Sequence, residues 1–262
     1  MPDTATRPHY TSFRQRLIDR ELLVGTFIKT PTGHATEILG DLGFDFVVLD
    51  EEHAPFDRGS TDIALLAARA ANTAGIVRVP SANPTSLLSV LDCGAAGVLV
   101  PHVDGAAKAR EVVAACRYRD GNRGFSNSPR AGGYGRLGFW DHVDQSDARV
   151  AVIAMIEDPP AIDVIDTIVD VEGLDAVFIG RGDLTVSLGV AGPGTPEVKA
   201  ATETITAAAL KAGKAVLAMS AGGDDAKWLK ELGVSGMIVA SDQGFMRQAA
   251  SRALVEFQAL DT

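Results

Sequence analysis

Two cysteines, Cys93 and Cys116, are all that the 262 residues contain, and neither sits in a CxxC pair. That scarcity points to reduced thiols rather than a disulfide framework. No apolar run approaches the roughly 18 residues of a membrane helix. The opening segment MPDTATRPHYTSFRQRL lacks the apolar stretch of a secretory signal and reads as a short frayed arm entering a first helix, together residues 1–20. The expected location is the cytoplasm. Positive charge is in deficit, with 24 Lys and Arg against 34 Asp and Glu and a formal net charge of −10. Such a field is repelled by phosphate backbones and anionic lipid, so no nucleic acid or membrane partner is expected. An anionic substrate would need local help from an arginine or a bound cation. No GxGxxG follows the first apolar run, and no repeat or linker divides the chain.

What is present is a rhythm. Short apolar, β-branched runs predict strands at Val24–Lys29, Phe46–Asp50, Ile76–Val79, Gly97–Pro101, Val150–Ile156, Ala176–Ile179, Ala215–Met219 and Met237–Ala240. Helical stretches alternate with them: Gly33–Leu42, Ser60–Ala71, Thr85–Cys93, Gly105–Cys116, Pro160–Val169, Pro196–Ala212, Asp224–Leu232 and Gly244–Phe257. Gly43, Gly75, Gly94, Gly213 and Gly233 suit left-handed helix caps. Continuously apolar strands mark a parallel sheet covered on both faces. Eight βα units in about 250 residues predict an α/β fold, a single (β/α)8 TIM barrel over residues 1–262. One stretch breaks the rhythm, residues 117–145, read as a long irregular loop that is either an exposed excursion or, as its aromatic content favours, a subunit contact or active-site wall. Trp140 and Trp228 read as packing residues.

In a TIM barrel the chemistry lies at the C-terminal strand ends and in the loops after them. Those positions hold Lys29, the run Asp50-Glu51-Glu52-His53, Arg78, Pro101-His102, Glu157-Asp158 and Gly180-Arg181-Gly182-Asp183. Glu157 and Asp183 end adjacent strands. Two bare carboxylates held together repel, so a hard divalent ion, Mg2+ or Mn2+, would suit the space between them and polarise a carbonyl there; the alternative is that they cap helices or form rim salt bridges. Arg78 suits a carboxylate or enolate oxygen, or else a structural ion pair. His53, inside the acidic cluster, suits proton transfer; His102 is a weaker rim candidate, His9 and His34 look like surface residues, and His142 falls in the irregular loop. Asp92 could orient an imidazole or simply lie exposed beside Cys93. Glycine-rich Gly180–Asp183 and Ser220–Asp224 could offer backbone N–H groups to an anion. Only Lys29 ends a strand, between neighbours unsuited to a Schiff base, which favours metal over imine chemistry.

The segments GFDFVVLDEEHAP (43–55), VRVPSANP (77–84), VLDCGAAGVLVPHV (90–103), CRYRDGNRGFS (116–126), MIED (155–158) and LDAVFIGRGDLTVSLG (174–189), in this order and spacing, resemble the HpcH/HpaI aldolase family of metal-dependent class II pyruvate aldolases. The resemblance implies a divalent cation (Mg2+, Mn2+ or Co2+) on Glu157 and Asp183, chelated by the keto and carboxylate oxygens of a 2-oxo acid. It implies Arg78 as the enolate stabiliser, His53 as base assisted by Asp50 or Asp92, and backbone amides of Gly180, Arg181, Gly182 and Asp183 around the carboxylate. The implied reaction cleaves a 4-hydroxy-2-oxo acid to pyruvate, or a similar 2-oxo acid, and an aldehyde. Family members typically form homohexamers, trimers of dimers, with interfacial active sites.

Two departures bear on the substrate. Met155 stands where relatives commonly carry glutamine, and GRGDL replaces the usual GPADL, placing Arg181 at the expected pocket rim, either to recruit a second anionic group or simply exposed. The related citrate-lyase-β-like branch acts on acyl-CoA thioesters and usually shows Pro-Lys where this chain has Pro101-His102. A phosphoenolpyruvate-type barrel enzyme and a non-catalytic small-acid-binding barrel are the remaining alternatives.

Overall fold

The structure is a computed structural model, which describes residues 7–261; the frayed part of the expected N-terminal arm, residues 1–6, lies outside the described residues. Eight parallel strands close into a barrel in sequence order. They are β1 (Leu23–Ile28), β2 (Phe46–Asp50), β3 (Ala74–Arg78), β4 (Gly97–Val100), β5 (Ala151–Ile156), β6 (Ala176–Ile179), β7 (Ala215–Ser220) and β8 (Gly236–Ser241). The register of β8 on β1 shifts between Gly25 and Phe27, and this irregular pair completes the ring.

Helices cover the outside: α1 (Phe13–Ile18), α2 (Gly33–Asp41), α3 (Arg58–Ala70), α4 (Pro84–Asp92), α5 (Ala106–Cys116), α6 (Phe139–Arg149), α7 (Pro159–Asp163), α8 (Ile165–Val169), α9 (Arg181–Ser187), α10 (Pro196–Lys211), α11 (Gly223–Leu232) and α12 (Asp242–Gln258). Their starts are written locally. Asp57 and Ser60 form a reciprocal capping box on α3, and Asn83 caps α4 ahead of Pro84. Among the described residues no helix is long and apolar enough to cross a membrane.

Strand alternation sorts the core into two layers. One parity (Val47, Leu49, Val77, Val98, Val152, Val177) packs outward under the helices. The other (Phe27, Phe46, Val48, Ile76, Leu99, Ile153, Phe178, Leu217) fills the barrel. Phe13 and Leu17 of α1 join the inner layer and plug its lower end, with the Phe13 and Phe46 rings 5.5 Å apart. Both cysteines are buried, and burial pushes the Cys116 thiol up to about 12.

Several expectations need correction. Residues 117–145 are not structureless: a 3-10 turn at Arg130–Gly132 and the start of α6 lie within them. The many glycines and mixed aromatics hide the helical period there. His142 is fully buried on α6, bonded to the Tyr118 hydroxyl (3.1 Å) and to Ser146 Oγ (3.3 Å). Trp140 is 68% exposed, with Arg119 over its ring, so it packs against little of its own chain. Gly43, Gly94, Gly213 and Gly233 do adopt positive φ, but Gly75 lies inside β3. Asn72 (φ 51°) takes the left-handed position after α3 instead, because its short polar side chain tolerates it. Gly75 serves close packing, since a Cβ there would come within 2.6 Å of Leu65 on α3. The helix predicted at Pro160–Val169 breaks at Val164 into α7 and α8. At the far end, α12 leaves the barrel with Met246, Leu254, Val255 and Phe257 exposed.

Candidate active site

The same alternation that fills the barrel decides which rim residues enter its mouth. Phe46 and Val48 point inward, so Asp50 does too; Ile76 leads to Arg78, Ile153 and Met155 to Glu157, Phe178 to Gly180, and Phe27 to Lys29.

On the β1–β3 side the charges are paired. Asp50, fully buried, accepts from Arg78 through Nε (2.9 Å) and Nη2 (2.7 Å), from Lys29 Nζ (2.6 Å) and from the His53 amide (3.1 Å). Burial opposes its charge, but these donors outweigh it and hold the carboxyl at about 2. Asp50 is therefore an anchor and no acceptor of protons at neutral pH. Arg78 lies with its guanidinium 4.9 Å above the Phe27 ring. Its Nη1, the nitrogen not bonded to Asp50, is 3.2 Å from Glu52 Oε2. His53 stands at the mouth, its side chain 58% exposed and Nε2 3.7 Å from Glu52 Oε2.

On the β4–β6 side the charges are not balanced. Glu157 is 2% exposed and takes the His102 amide on Oε1 at 2.8 Å. The His102 imidazole lies 3.3 Å from the same oxygen and 3.1 Å from Asp158 Oδ2. Burial, with the neighbouring Asp183 carboxylate, pushes the Glu157 carboxyl up to about 7 despite the His102 amide. Burial also works against charge on His102, yet Asp158, Glu157 and Glu52 together raise its pKa. His102 sits at φ 53°, a conformation rare for a residue with a Cβ, which turns its N–H onto Glu157.

Asp183 is exposed in the first turn of α9, whose leading amides have no partner inside the helix. Gly180 makes room for the pair: a Cβ there would fall 2.5 Å from Glu157 Cβ and 3.0 Å from both Glu157 Oε2 and Met155 Cε. Met155 thus lines the barrel side of the acid as a buried thioether.

Two candidates stand elsewhere. Asp92, at the end of α4, pairs with Arg123 (3.3 Å), and within this chain no contact joins it to His53. Arg181 is 6% exposed; its guanidinium grips Asp225 at 2.9 and 2.7 Å and donates to the carbonyls of Met219 and Pro193. Its guanidinium is buried and held by these partners, so it is neither the exposed arginine nor the unengaged rim cation for a second anion that the sequence suggested. In the Ser220–Asp224 loop the amides of Ala221 and Gly222 are already bonded to Asp225 and Ser220. Glu52, His102 and Lys29 enter the site more fully than their sequence context suggested. The strand parity that selected Asp50 also selects Lys29, whereas His102 and Glu52 come from turns whose direction sequence does not specify.

Among the described residues no three or more His, Cys, Asp or Glu side chains form a ready cluster for a metal ion. Glu157 and Asp183 offer carboxylate oxygens alone, pressed together without a permanent counter-charge. That donor set fits a hard divalent cation whose remaining ligands are water and substrate oxygens.

Residues 23–249 match the HpcH/HpaI aldolase/citrate lyase family. The chain belongs to that family. A 5-keto-4-deoxy-D-glucarate aldolase of Klebsiella pneumoniae is 34% identical over 252 residues, 95% of this chain and 97% of the relative. An HpcH/HpaI aldolase/citrate lyase family protein from Burkholderia cenocepacia superposes with a TM-score of 0.89 at 31% identity, over 95% of this chain and 99% of that one. The citrate synthase SbnG superposes at 0.87 with 29% identity, covering 96% and 100%. As a member, the protein is a class II aldolase, a carbon–carbon lyase acting on a 2-oxo acid, in a family that generally depends on a divalent metal.

Proposed function

We propose that the protein reversibly cleaves a 4-hydroxy-2-oxo acid into pyruvate, or a close 2-oxo acid, and an aldehyde, with Glu157 and Asp183 holding Mg2+ or Mn2+, or Co2+ in their place. The observation that carries this reading is the buried Glu157 carboxyl, pushed up to about 7 beside Asp183 in a mouth otherwise lined by paired charges. The cation, when bound, supplies Lewis acidity toward the keto and carboxylate oxygens of the substrate.

The chain's own groups supply the rest. Arg78, fixed by Asp50 and the Phe27 ring, presents Nη1 to the oxygen on which negative charge develops. His53, at the open edge, removes the proton from the 4-hydroxyl, and the bond between C3 and C4 breaks to give the aldehyde and an enolate. The enolate then regains a proton at C3. Glu52, between His53 and Arg78, steadies the imidazolium formed on the way. The first-turn amides of Arg181, Gly182 and Asp183 suit the substrate carboxylate. Lys29 and Arg78 are balanced here by Asp50 and Glu52, so this side of the mouth would attract an anion through the directed N–H groups of Arg78 and not through net charge. The keto acid in the name of the Klebsiella relative, 5-keto-4-deoxy-D-glucarate, is such an anion.

The protein acts in the cytoplasm as a homohexamer. Support for assembly comes from the exposed Leu254, Val255 and Phe257 of α12 and from Phe139 and Trp140 beside the Tyr118–Arg123 turn. The fold-directed test is exchange of pyruvate methyl protons with D2O, followed by NMR. Exchange that requires Mg2+ or Mn2+ and stops with EDTA is expected; no exchange with any 2-oxo acid would refute the enolate reading.

A further inference from the structure

The end of the barrel opposite Glu157 holds a second feature unconnected with the aldol reaction. A cavity of about 180 Å3 opens among Tyr10 and Thr11 ahead of α1, α3, the turn at Arg130–Gly132 and α6, floored by Gly75 at the start of β3 and Ala96 just before β4. Four arginines line it, Arg69, Arg130, Arg136 and Arg149, and no aspartate or glutamate does. In a chain with ten more acids than bases (34 − 24) this is a local reversal of sign.

The arginines are also poorly occupied. The side chains of Arg69, Arg136 and Arg149 make no hydrogen bond or ion pair among the described residues. Arg130, its side chain 8% exposed, bonds Asp62 through Nη2 alone, at 2.6 Å to the carboxylate and 3.4 Å to the carbonyl. Its Nε is buried with no partner. The backbone keeps this arginine in place: Gly94 (φ 91°) lets the Arg130 side chain lie within 3.2 Å of where a Cβ would be. Buried N–H groups are ordinarily satisfied, and guanidinium forks match oxyanions with paired hydrogen bonds.

We propose that this cavity binds a small multivalent oxyanion, a phosphate group or a short dicarboxylate, at the base of the barrel and apart from the aldolase site. After the Arg130–Asp62 pair is discounted, three positive charges face about 180 Å3, room for an anion of a few heavy atoms. The neutral polar side chain of Gln145 completes the rim.

The experiment is isothermal titration calorimetry of the full-length, magnesium-loaded protein with inorganic phosphate and, separately, with malonate. The same titrations are run on an Arg136→Gln/Arg149→Gln variant, whose altered side chains are exposed and unpaired, so the fold is retained. At least one anion is expected to bind, with affinity reduced tenfold or more in the variant and aldol cleavage unchanged. Binding of phosphate alone identifies a phosphate site, and binding of malonate alone a dicarboxylate site. Failure of both anions to bind, or equal binding by the variant, overturns the proposal; the latter would place the anion in the aldolase site or elsewhere. An Arg136→Lys/Arg149→Lys variant should recover part of the affinity, and no recovery would count against a charge-based site.

Discussion

Asp50 and Glu157 occupy equivalent stations on two sides of one barrel mouth: each follows an inward-facing run of a buried strand, and each carboxylate is shut off from solvent. Their chemistry diverges because of what lies beside them. Asp50 has Arg78 and Lys29 and stays ionised down to about 2; Glu157 has Asp183 and an imidazole and holds a proton up to about 7. Burial is common to both, so neighbours rather than depth assign the roles. One carboxylate is a fixed part of the scaffold. The other is short of positive charge, and a divalent cation is what would supply it.

The contrast can be broken most decisively at Glu157. Glu157→Ala should abolish metal binding and lower turnover by at least about 10³-fold, while the barrel folds as before. Undiminished metal affinity by calorimetry would show that the two sides are not different in kind. His53→Ala should keep the metal and lose about 10²- to 10⁴-fold in kcat; a wild-type rate would remove this histidine from the reaction. Asp50→Ala tests the other side. Stranding Arg78 and Lys29 should lower stability by about 3–5 kcal/mol in urea unfolding, with metal affinity little changed. An unaltered midpoint would mean that Arg78 finds another partner.

The smallest effect is in pH. Folded protein stripped of metal holds the Glu157 proton more tightly than the unfolded chain, whose glutamates release it near 4.5. Raising the pH from about 4.5 to about 7 should therefore destabilise the EDTA-treated protein, and added metal should remove that loss. Below about 7 the proton competes with the cation, so metal affinity should fall by up to about tenfold per pH unit. Asp50 has the opposite sign: its contribution is complete above the ordinary value of 3.8 and is lost as pH falls through about 2. Melting curves of metal-free protein from about pH 2 to about pH 8 would separate the two, Glu157 acting between about 4.5 and about 7 and Asp50 below 3.8.

Sequence disclosed the barrel because strand parity and helix starts are local properties. Val47, Val77, Val98 and Val152 announce a sheet covered on both sides, and Asp57 and Asn83 mark helix starts. The same parity delivered Asp50, Arg78 and Glu157 to the mouth. What stayed hidden depends on long-range partners. Arg181 reads as a rim cation until Asp225, on α11, is seen to claim it. Asp92 reads as a helper of His53 until Arg123 takes it. His102 gains its place on Glu157 from a left-handed backbone turn that nothing in Pro101-His102 signals. The α6 helix was masked because its inward side is built from His142, Val143 and Ser146 rather than from an aliphatic stripe.

Gly180 couples a choice on β6 to one on β5. Because even a methyl group there would collide with the Glu157 side chain, an acid cannot be held at 157 in this pose unless residue 180 carries no side chain at all. Tuning the enzyme for a bulkier keto acid must therefore proceed from the Met155 flank, whose flexible thioether can yield, leaving the glycine untouched.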